Sequence, residues 1–170
     1  TMYFTRDDLK KGNRLDHDDE GTSHLRIYKA TLVNGIWDNI EDLPFNDDVS
    51  STGHPALSPD NKKLYFVSDR EGSMGQTDIY YVDINEDGTF GDPEALGNTI
   101  NTEGREMFPF VDKNNVLYFS SDGHVNLGLL DLFKVDLNKE NAKVENLGAP
   151  YNSGYDDFAY FSDEEGKGYF

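Results

Sequence analysis

A short aromatic segment recurs along this chain of 170 residues at a nearly constant interval. Residues 64–69 read LYFVSD, and residues 117–122 repeat them as LYFSSD. Residues 2–5 (MYFT) are an earlier copy, and residues 168–170 (GYF) begin a later one. A period of about 40 to 50 residues made of short strands is typical of a β-propeller blade. The repeat therefore predicts an all-β chain of four-stranded antiparallel blades.

The clearest copy runs from His54 to Leu96, and its turns separate its strands. Ser58-Pro59-Asp60-Asn61-Lys62 and Asp87-Gly88 are turn sequences, because Pro presets φ and the Asp-Gly dipeptide tolerates positive φ. Between them the residues alternate and are rich in aromatic and β-branched types, as half-buried strands require. The predicted strands of this copy are residues 55–57, 63–68, 78–84 and 89–96.

The same pattern divides the whole chain. The predicted blades are residues 1–45, 46–97, 98–148 and the start of a further blade at 149–170. About three blades are fewer than the four to eight of closed propellers. We therefore expect a six-bladed ring, completed by the rest of a longer chain or by a second copy. The chain starts and stops inside equivalent strands, which favours the longer chain.

Composition excludes several kinds of partner. A net charge of −18 is incompatible with nucleic acid, which needs a cationic footprint, and with docking on anionic lipid. No apolar run approaches the length of a transmembrane helix, so we expect no direct membrane insertion. The chain contains no cysteine, which rules out disulfides and thiolate metal sites.

Loop lengths indicate where a site would lie. The connections between second and third strands, and those between blades, are long, and in an up-down blade they emerge on one face. Binding residues concentrate on long loops held by a rigid scaffold. We predict partner contacts on this face, with Arg70 pairing to a nearby carboxylate. The aromatic residues of the crossings are expected to pack around the channel, with a partner hot spot as the alternative, and they are Phe108, Phe110, Tyr155 and Phe158. The candidate residues are Asp69, Arg70, Arg105, Glu106, Asp122, His124, Asp156 and Asp157.

Asp78 and Asp131 precede the third strand of successive blades at matching positions. A cation or ligand contact would be one role for them, and capping of the preceding loop's amides is another. Recurrence favours capping, because a structural need repeats with every blade whereas a site usually does not.

The sequence contains no catalytic motif. Its four histidines are scattered, and no G-x-S-x-G nucleophile elbow or phosphate-binding loop is present. We predict that the chain is not an enzyme and has no cofactor or bound metal. Calcium remains an alternative, with the acidic insertion at residues 6–23 as its best location.

A family resemblance adds to this interpretation. Ser58-Pro59-Asp60, residues 64–70 and Asp78-Ile79-Tyr80 together resemble the WD-like propeller repeat of TolB-type proteins. The run from Leu96 to Ser153 is similar to the propellers of Bacteroidota envelope proteins that also carry an OmpA-like, peptidoglycan-binding domain, including PorE-type components of type IX secretion. One departure is Leu129-Leu130, where the family usually shows Gly-Gly.

The resemblance implies a six-bladed propeller that acts as an interaction platform on the periplasmic side of the outer membrane. Its partners would be other envelope proteins or peptides, with peptidoglycan bound only through a domain outside these residues. Our leading hypothesis is accordingly a non-catalytic protein–protein interaction scaffold. The alternatives are the propeller of a hydrolase, either a peptidase lid or a carbohydrate-active domain, and a calcium-dependent adhesion module.

Overall fold

The computed structural model describes residues 1–10, 14–163 and 165–170, and within them every regular element is a β-strand. This confirms the all-β prediction. In the described part of the chain there is no helix with the length and apolarity needed to span a bilayer. The strands are β1 (Met2–Asp7), β2 (Leu9–Lys10), β3 (Arg14–Leu15), β4 (Leu25–Val33), β5 (Ile36–Asp42), β6 (Thr52–Leu57), β7 (Lys63–Ser68), β8 (Asp78–Asp83), β9 (Glu94–Ala95), β10 (Glu106–Val111), β11 (Val116–Ser121), β12 (Asp131–Asp136), β13 (Glu145–Asn146), β14 (Phe161–Ser162) and β15 (Gly168–Tyr169).

The strands form successive antiparallel sheets in chain order. The middle sheet has the order β6-β7-β8-β9, and the third sheet repeats it as β10-β11-β12-β13. The first sheet has the order β1-β4-β5, and two small hairpins, β2-β3 and β14-β15, accompany these sheets. Four-stranded meanders of this kind are the sheets expected of propeller blades.

The sheets pack face to face through the alternating side chains of their strands. Tyr65 and Val67 of β7 point to the third sheet, whereas Leu64 and Phe66 point to the first. This period of two follows from strand geometry. The core between the first and middle sheets comprises Ile27, Leu43, Phe45, Leu64, Phe66, Tyr80 and Val82. The core between the middle and third sheets comprises Tyr65, Val67, Ile79, Ile100, Val111, Leu117, Phe119, Phe133 and Val135.

One asparagine per sheet holds the strand next to the outer strand to the chain that leaves the sheet. The Asn101 side-chain oxygen accepts from the Ile79 amide at 2.9 Å, and its Nδ2 donates to the Ile79 carbonyl at 3.0 Å. Asn152 clasps Leu132 in the same way in the third sheet. Asn46 does so in the first. These amides complete backbone hydrogen bonds beside outer strands that are only two residues long in the middle and third sheets.

The innermost strands of the middle and third sheets each contain a β-bulge. His54 and Phe108 lie in these bulges with positive φ. Their rings stack with centroids 4.2 Å apart, and Phe158 stacks on Phe108 at 5.2 Å. The aromatic stack joins successive sheets at their inner edge.

Candidate functional site

The two classes of long loop lie side by side on one face, as predicted. We call it the long-loop face, comprising residues 69–77, 97–108, 122–130 and 148–157. The Gln76 amide donates to the Gly104 carbonyl at 2.8 Å, and Thr77 pairs with Arg105 in a parallel bridge. In the third sheet the Asp157 amide donates to the Leu130 carbonyl at 2.7 Å. Backbone hydrogen bonds therefore join the loops into one surface.

Asp122 and Arg105 tie adjacent loops together. Asp122 Oδ1 accepts from the Arg105 amide at 2.7 Å, and Oδ2 accepts from its guanidinium at 2.8 Å. Both side chains are partly exposed. Asp69 lies at the equivalent position in the middle sheet, where Oδ1 accepts from the Ser51 amide at 2.7 Å. These candidates lie on the predicted face, and they help to hold the loops in place.

Glu106 and His124 lie beneath the face and point inward. Glu106 is fully buried, and its carboxylate accepts from the Thr102 amide and hydroxyl and from the Ser121 hydroxyl at 2.6–2.8 Å. The His124 Nε2 donates to the Ile100 carbonyl at 2.8 Å, and its ring packs against aromatic residues of the core. Both side chains support the loops from below.

Asp156 and Asp157 lie at the end of the crossing that follows the third sheet. Asp156 is exposed, and its Oδ1 accepts from the Leu130 amide at 3.1 Å. Asp157 Oδ2 accepts from the Ser153 amide at 2.6 Å and from its hydroxyl at 2.9 Å. The Ser153–Asp157 pair thus repeats the contact between Thr102 and Glu106.

The prediction that Arg70 pairs with a nearby carboxylate is wrong. Its guanidinium donates to the Ser68 hydroxyl, the Phe45 carbonyl and the Thr52 hydroxyl at 3.1–3.2 Å. It also lies about 5 Å from the Phe66 and Tyr80 ring centroids, within cation–π range. Burial lowers the pKa of this guanidinium from its usual value. Neutral oxygens and aromatic faces hold Arg70 in place of a carboxylate.

The capping role predicted for the recurring aspartates is confirmed. Asp78 accepts from the Met74 amide at 2.7 Å and from the Gly75 amide at 3.1 Å. Asp131 accepts from the Leu127 amide at 2.7 Å. Both carboxylates are buried and fix the loop that precedes their strand.

Sequence reasoning missed an exposed apolar surface on the loop of the third sheet. Val125, Leu127 and Leu129 are 94%, 60% and 59% exposed, and we call these three residues the third-loop patch. The signal in the sequence was Leu129, which we noted only as a departure from a family pattern. Scattered exposed apolar residues need no explanation, but three on one anchored loop of nine positions form a surface.

The aromatic residues of the crossings have different environments. Phe108 and Phe158 belong to the stack at the inner edge, and Phe110 packs near Tyr118 and Tyr160. Tyr155 is largely exposed, contrary to the expectation that it packs around the channel. Its backbone carbonyl lies against Gly128, so it neighbours the third-loop patch.

The acidic insertion forms an open cavity of about 320 Å³. Asp18 accepts from the Thr22 amide at 2.8 Å and contacts the His24 ring at 2.9 Å, and these bonds hold the pKa of Asp18 below its usual value. Residues 11–13 of the insertion lie outside the described residues. Within the described ones, no group of three or more His, Asp or Glu side chains is arranged to hold a metal ion. The cavity is lined by Asp8, Asp16, His17, Asp18, Asp19, Thr22, His24, Asp48 and Val49.

Solved structures with similar folds identify the architecture. TolB from Acinetobacter baumannii matches with a TM-score of 0.54 and 17% identity, over 85% of this chain and 31% of its own. A puromycin-hydrolyzing peptidase from Mycobacterium tuberculosis matches at 0.54 and 16%, over 96% and 24%. A gluconolactonase from Xanthomonas campestris matches at 0.50 and 15%, over 96% and 48%.

At such identities the likeness shows the fold alone, which is a TolB-like propeller fold. The chain spans between 24% and 48% of the length of these solved structures. No protein-family model matches the chain, and no curated protein sequence matches it significantly.

Proposed function

We propose that this chain is a non-catalytic protein–protein interaction scaffold, a propeller segment whose long-loop face binds another protein. The observation that carries this proposal is the use of polar side chains on that face. Asp122 and Glu106 accept from amides and side chains of adjacent segments, and one oxygen of Asp131 accepts from the Leu127 amide of its own loop. Loops held in this way form a rigid surface, and rigid loops lose little conformational entropy on binding.

The same observation argues against catalysis on this face. A general base must lie within hydrogen-bond reach of a reacting group in a cleft. Glu106 is fully buried among its own donors, and the His124 ring bonds to a backbone carbonyl. Their functional atoms are engaged inside the chain, which supports the non-catalytic role.

We further propose that the sheets are blades with the boundaries 1–45, 46–97 and 98–148, with 149–170 beginning another, in a ring of six. The outward faces of the first and third sheets support this. Phe90 packs on Phe45 of the first sheet, whereas Trp37, which follows the equivalent turn, is exposed. Tyr65 is buried against the third sheet, whereas its counterpart Tyr118 is only half-buried. Further blades would cover both faces.

The ring has its own test in the intact mass of the natively sourced protein. A denatured mass well above 19.2 kDa would support further blades in the same chain. A mass of 19.2 kDa that doubles under native conditions would support closure by a second copy. A monomer of that mass under both conditions would contradict the six-bladed ring.

We place the scaffold in the cell envelope, on the periplasmic side of the outer membrane. Two features support the placement, namely the repeat's resemblance to OmpA-family, PorE-type envelope propellers and the fold's likeness to TolB. Peptidoglycan and secretion partners would then be reached through the whole protein, since these residues include no OmpA-like segment.

A second candidate function is the propeller of a hydrolase. Its support is the likeness to a puromycin-hydrolyzing peptidase, of which this chain covers 24%. A catalytic domain adjoining these residues, with peptidase activity in the natively sourced protein, would favour this candidate over the scaffold.

Site-specific photo-crosslinking in the native host tests the scaffold. A benzophenone amino acid is placed at Glu71, Gln76 or Glu103 on the long-loop face, and at Glu86 or Glu140 on the opposite face. All five positions are exposed. We expect a discrete protein adduct from at least one long-loop position and from neither control. Adducts from the control face alone, or from no position, would contradict the proposal.

A further inference from the structure

Resting on the proposed function, we propose that the third-loop patch is where the partner docks, and that the partner is a protein segment with apolar side chains flanked by Lys or Arg. The patch comprises Val125, Leu127 and Leu129. Four properties carry this inference: its absence from the middle sheet, its rigid backing, its position relative to further blades, and the charge around it.

The loops of the middle and third sheets have the same length and the same position for their capping aspartate, although Gly72 has a φ of +92° and Val125 is not in the left-handed region. Both connect Ser-Asp to a capping Asp over the same length, and the Met74 and Leu127 amides donate to that Asp at the same 2.7 Å. Gly72, Met74 and Gln76 therefore stand where the patch residues stand. Three apolar side chains at these positions are not a requirement of the blade, because the middle sheet folds without them.

The residues between the patch side chains anchor the loop. Asn126 Nδ2 donates to the Asp122 and Leu129 carbonyls at 3.2 Å, and Asn146 Nδ2 donates to the Val125 carbonyl at 3.2 Å. A Cβ on Gly128 would lie 2.6 Å from the Tyr155 carbonyl oxygen, so this loop sits directly on the next crossing. Anchors and apolar side chains alternate, and the apolar ones are presented outward in a fixed conformation.

A further blade beside the third sheet would leave the patch open. The middle loop shows this, because it already has a blade beside it. The crossing at residues 97–108, which leads to the third sheet, packs against Gly75 and Gln76. Met74 nevertheless stays 49% exposed, and Gln76 is also exposed. By equivalence Leu127 and Leu129 remain accessible in a completed ring. The exposure of the patch is thus a property of the face and is independent of ring closure.

Charge selects the partner. Residues 122–131 and 147–158 contain four aspartates, of which Asp131 is buried and Asp122 is paired with Arg105. Asp156 is exposed beside the patch, and the whole chain carries −18. Apolar contacts beside an exposed carboxylate on a strongly acidic chain complement a segment with apolar anchors and cationic flanks. The same charge opposes an anionic bilayer and a second copy of the chain.

Photo-crosslinking at Leu127, with Met74 as the matched control position, tests this proposal in the native host. The crosslinked partner peptide is mapped by mass spectrometry. The expected result is a strong adduct at Leu127, little at Met74, and a mapped segment with apolar residues between Lys or Arg. A synthetic peptide of that segment should bind the purified chain, with at least tenfold weaker affinity for Leu127→Ser and for 500 mM salt against 50 mM.

Each other outcome overturns the proposal. An acidic mapped segment, an adduct with lipid, or an adduct with a second copy would exclude the stated partner class. Adducts at Glu71, Gln76 or Glu103 without one at Leu127 would remove the patch while leaving the scaffold function standing. Adducts at none of these positions would remove both. Leu129→Gln, which installs the middle-sheet residue, should also weaken peptide binding, and melting temperatures equal to that of the parent for both variants would show that the loss does not come from misfolding.

Discussion

The loops of the middle and third sheets have equal lengths and a shared capping position, and they carry two different surfaces. Asp78 accepts from two loop amides and Asp131 from one, and Gly75 and Gly128 let each loop lie against the next crossing. Above these anchors the middle loop exposes Gln76, whereas the third loop exposes Leu129. The comparison separates what every blade needs from what one blade alone carries, and only the second can specify a partner.

The polar junction beneath these loops also differs between the two sheets. In the middle sheet Arg70 reaches across to Thr52, whereas in the third Glu106 accepts from Thr102 and Ser121. Gly123 occupies the position equivalent to Arg70, and a Cβ there would lie 1.8 Å from the Thr102 hydroxyl oxygen. Each sheet therefore fills the same space with one large polar side chain that comes from a different strand or loop.

The largest expected effect on stability comes from removing the buried Glu106 side chain of the third sheet. Glu106→Ala leaves the Thr102 amide and two hydroxyls without their acceptor, and unpaired buried donors cost about 1–3 kcal/mol each. We expect a loss of about 3 kcal/mol in the free energy of unfolding, measured by urea denaturation. Glu106→Gln keeps one acceptor oxygen and should lower the free energy of unfolding clearly less. Equal losses would show that volume, and not hydrogen bonding, sets the contribution.

The two asparagine clasps, Asn101 and Asn152, should contribute equally to the free energy of unfolding. Asn101→Ala and Asn152→Ala each remove two hydrogen bonds to one backbone residue, and we expect each to lower the unfolding free energy by about 2 kcal/mol. The measurement is again urea denaturation. Values that differ by more than about 1 kcal/mol between the two sheets would contradict a common structural role.

Substitutions of exposed loop residues should leave stability nearly unchanged, and only one of them should affect partner binding. Leu127→Ser and Met74→Ser should each change stability by less than about 0.5 kcal/mol, as surface substitutions usually do. Only Leu127→Ser should weaken binding of the crosslinked partner segment, by about tenfold or 1.4 kcal/mol. Fluorescence anisotropy with the labelled segment measures this. Equal weakening by both variants would place the partner on the whole face.

The smallest expected effect concerns His54, whose ring stacks on Phe108 at the inner edge of the sheets. Burial lowers the pKa of His54, so its neutral form is favoured in the folded state. Its contribution to stability is then present above the unfolded-state pKa of about 6.5 and declines as pH falls below it. His54→Phe, which copies the Phe108 residue of the third sheet, should flatten the stability profile between pH 7.5 and 5. An unchanged profile would mean that other groups cause the decline.

The fold was largely predictable from the sequence, because aromatic and β-branched residues alternate strongly in the central strands. Strands β7 and β8 match their predicted bounds to within one residue. The outer strand was predicted too long, at residues 89–96, whereas β9 covers only Glu94–Ala95. Pro93 lacks an amide hydrogen, which interrupts pairing before Glu94, whereas the Asn101 clasp lies at the other end of the pair, on Ile79.

The candidate site was less predictable, because the sequence prediction placed the partner contacts on charged residues of the long loops. Charge at these positions serves the scaffold, as Asp122 and Glu106 illustrate. The informative residues were those that break the repeat, above all Leu127 and Leu129. Aligning the two loops position by position would have identified them, since the capping aspartates set the register.

The most direct test is an exchange of the two surfaces. In one variant Leu127→Met and Leu129→Gln give these two positions the residues of the middle loop, and in the reciprocal variant Met74→Leu and Gln76→Leu do the reverse. Val125 and Gly72 are kept, because Gly72 has a positive φ that a side chain would strain. The affinity of each for the crosslinked segment is measured beside its melting temperature. The account predicts at least tenfold weaker binding by the first variant, unchanged binding by the second, and melting temperatures like that of the parent. Full affinity in the first variant, with the same melting temperature, would contradict the claim that the third-loop patch is the docking site.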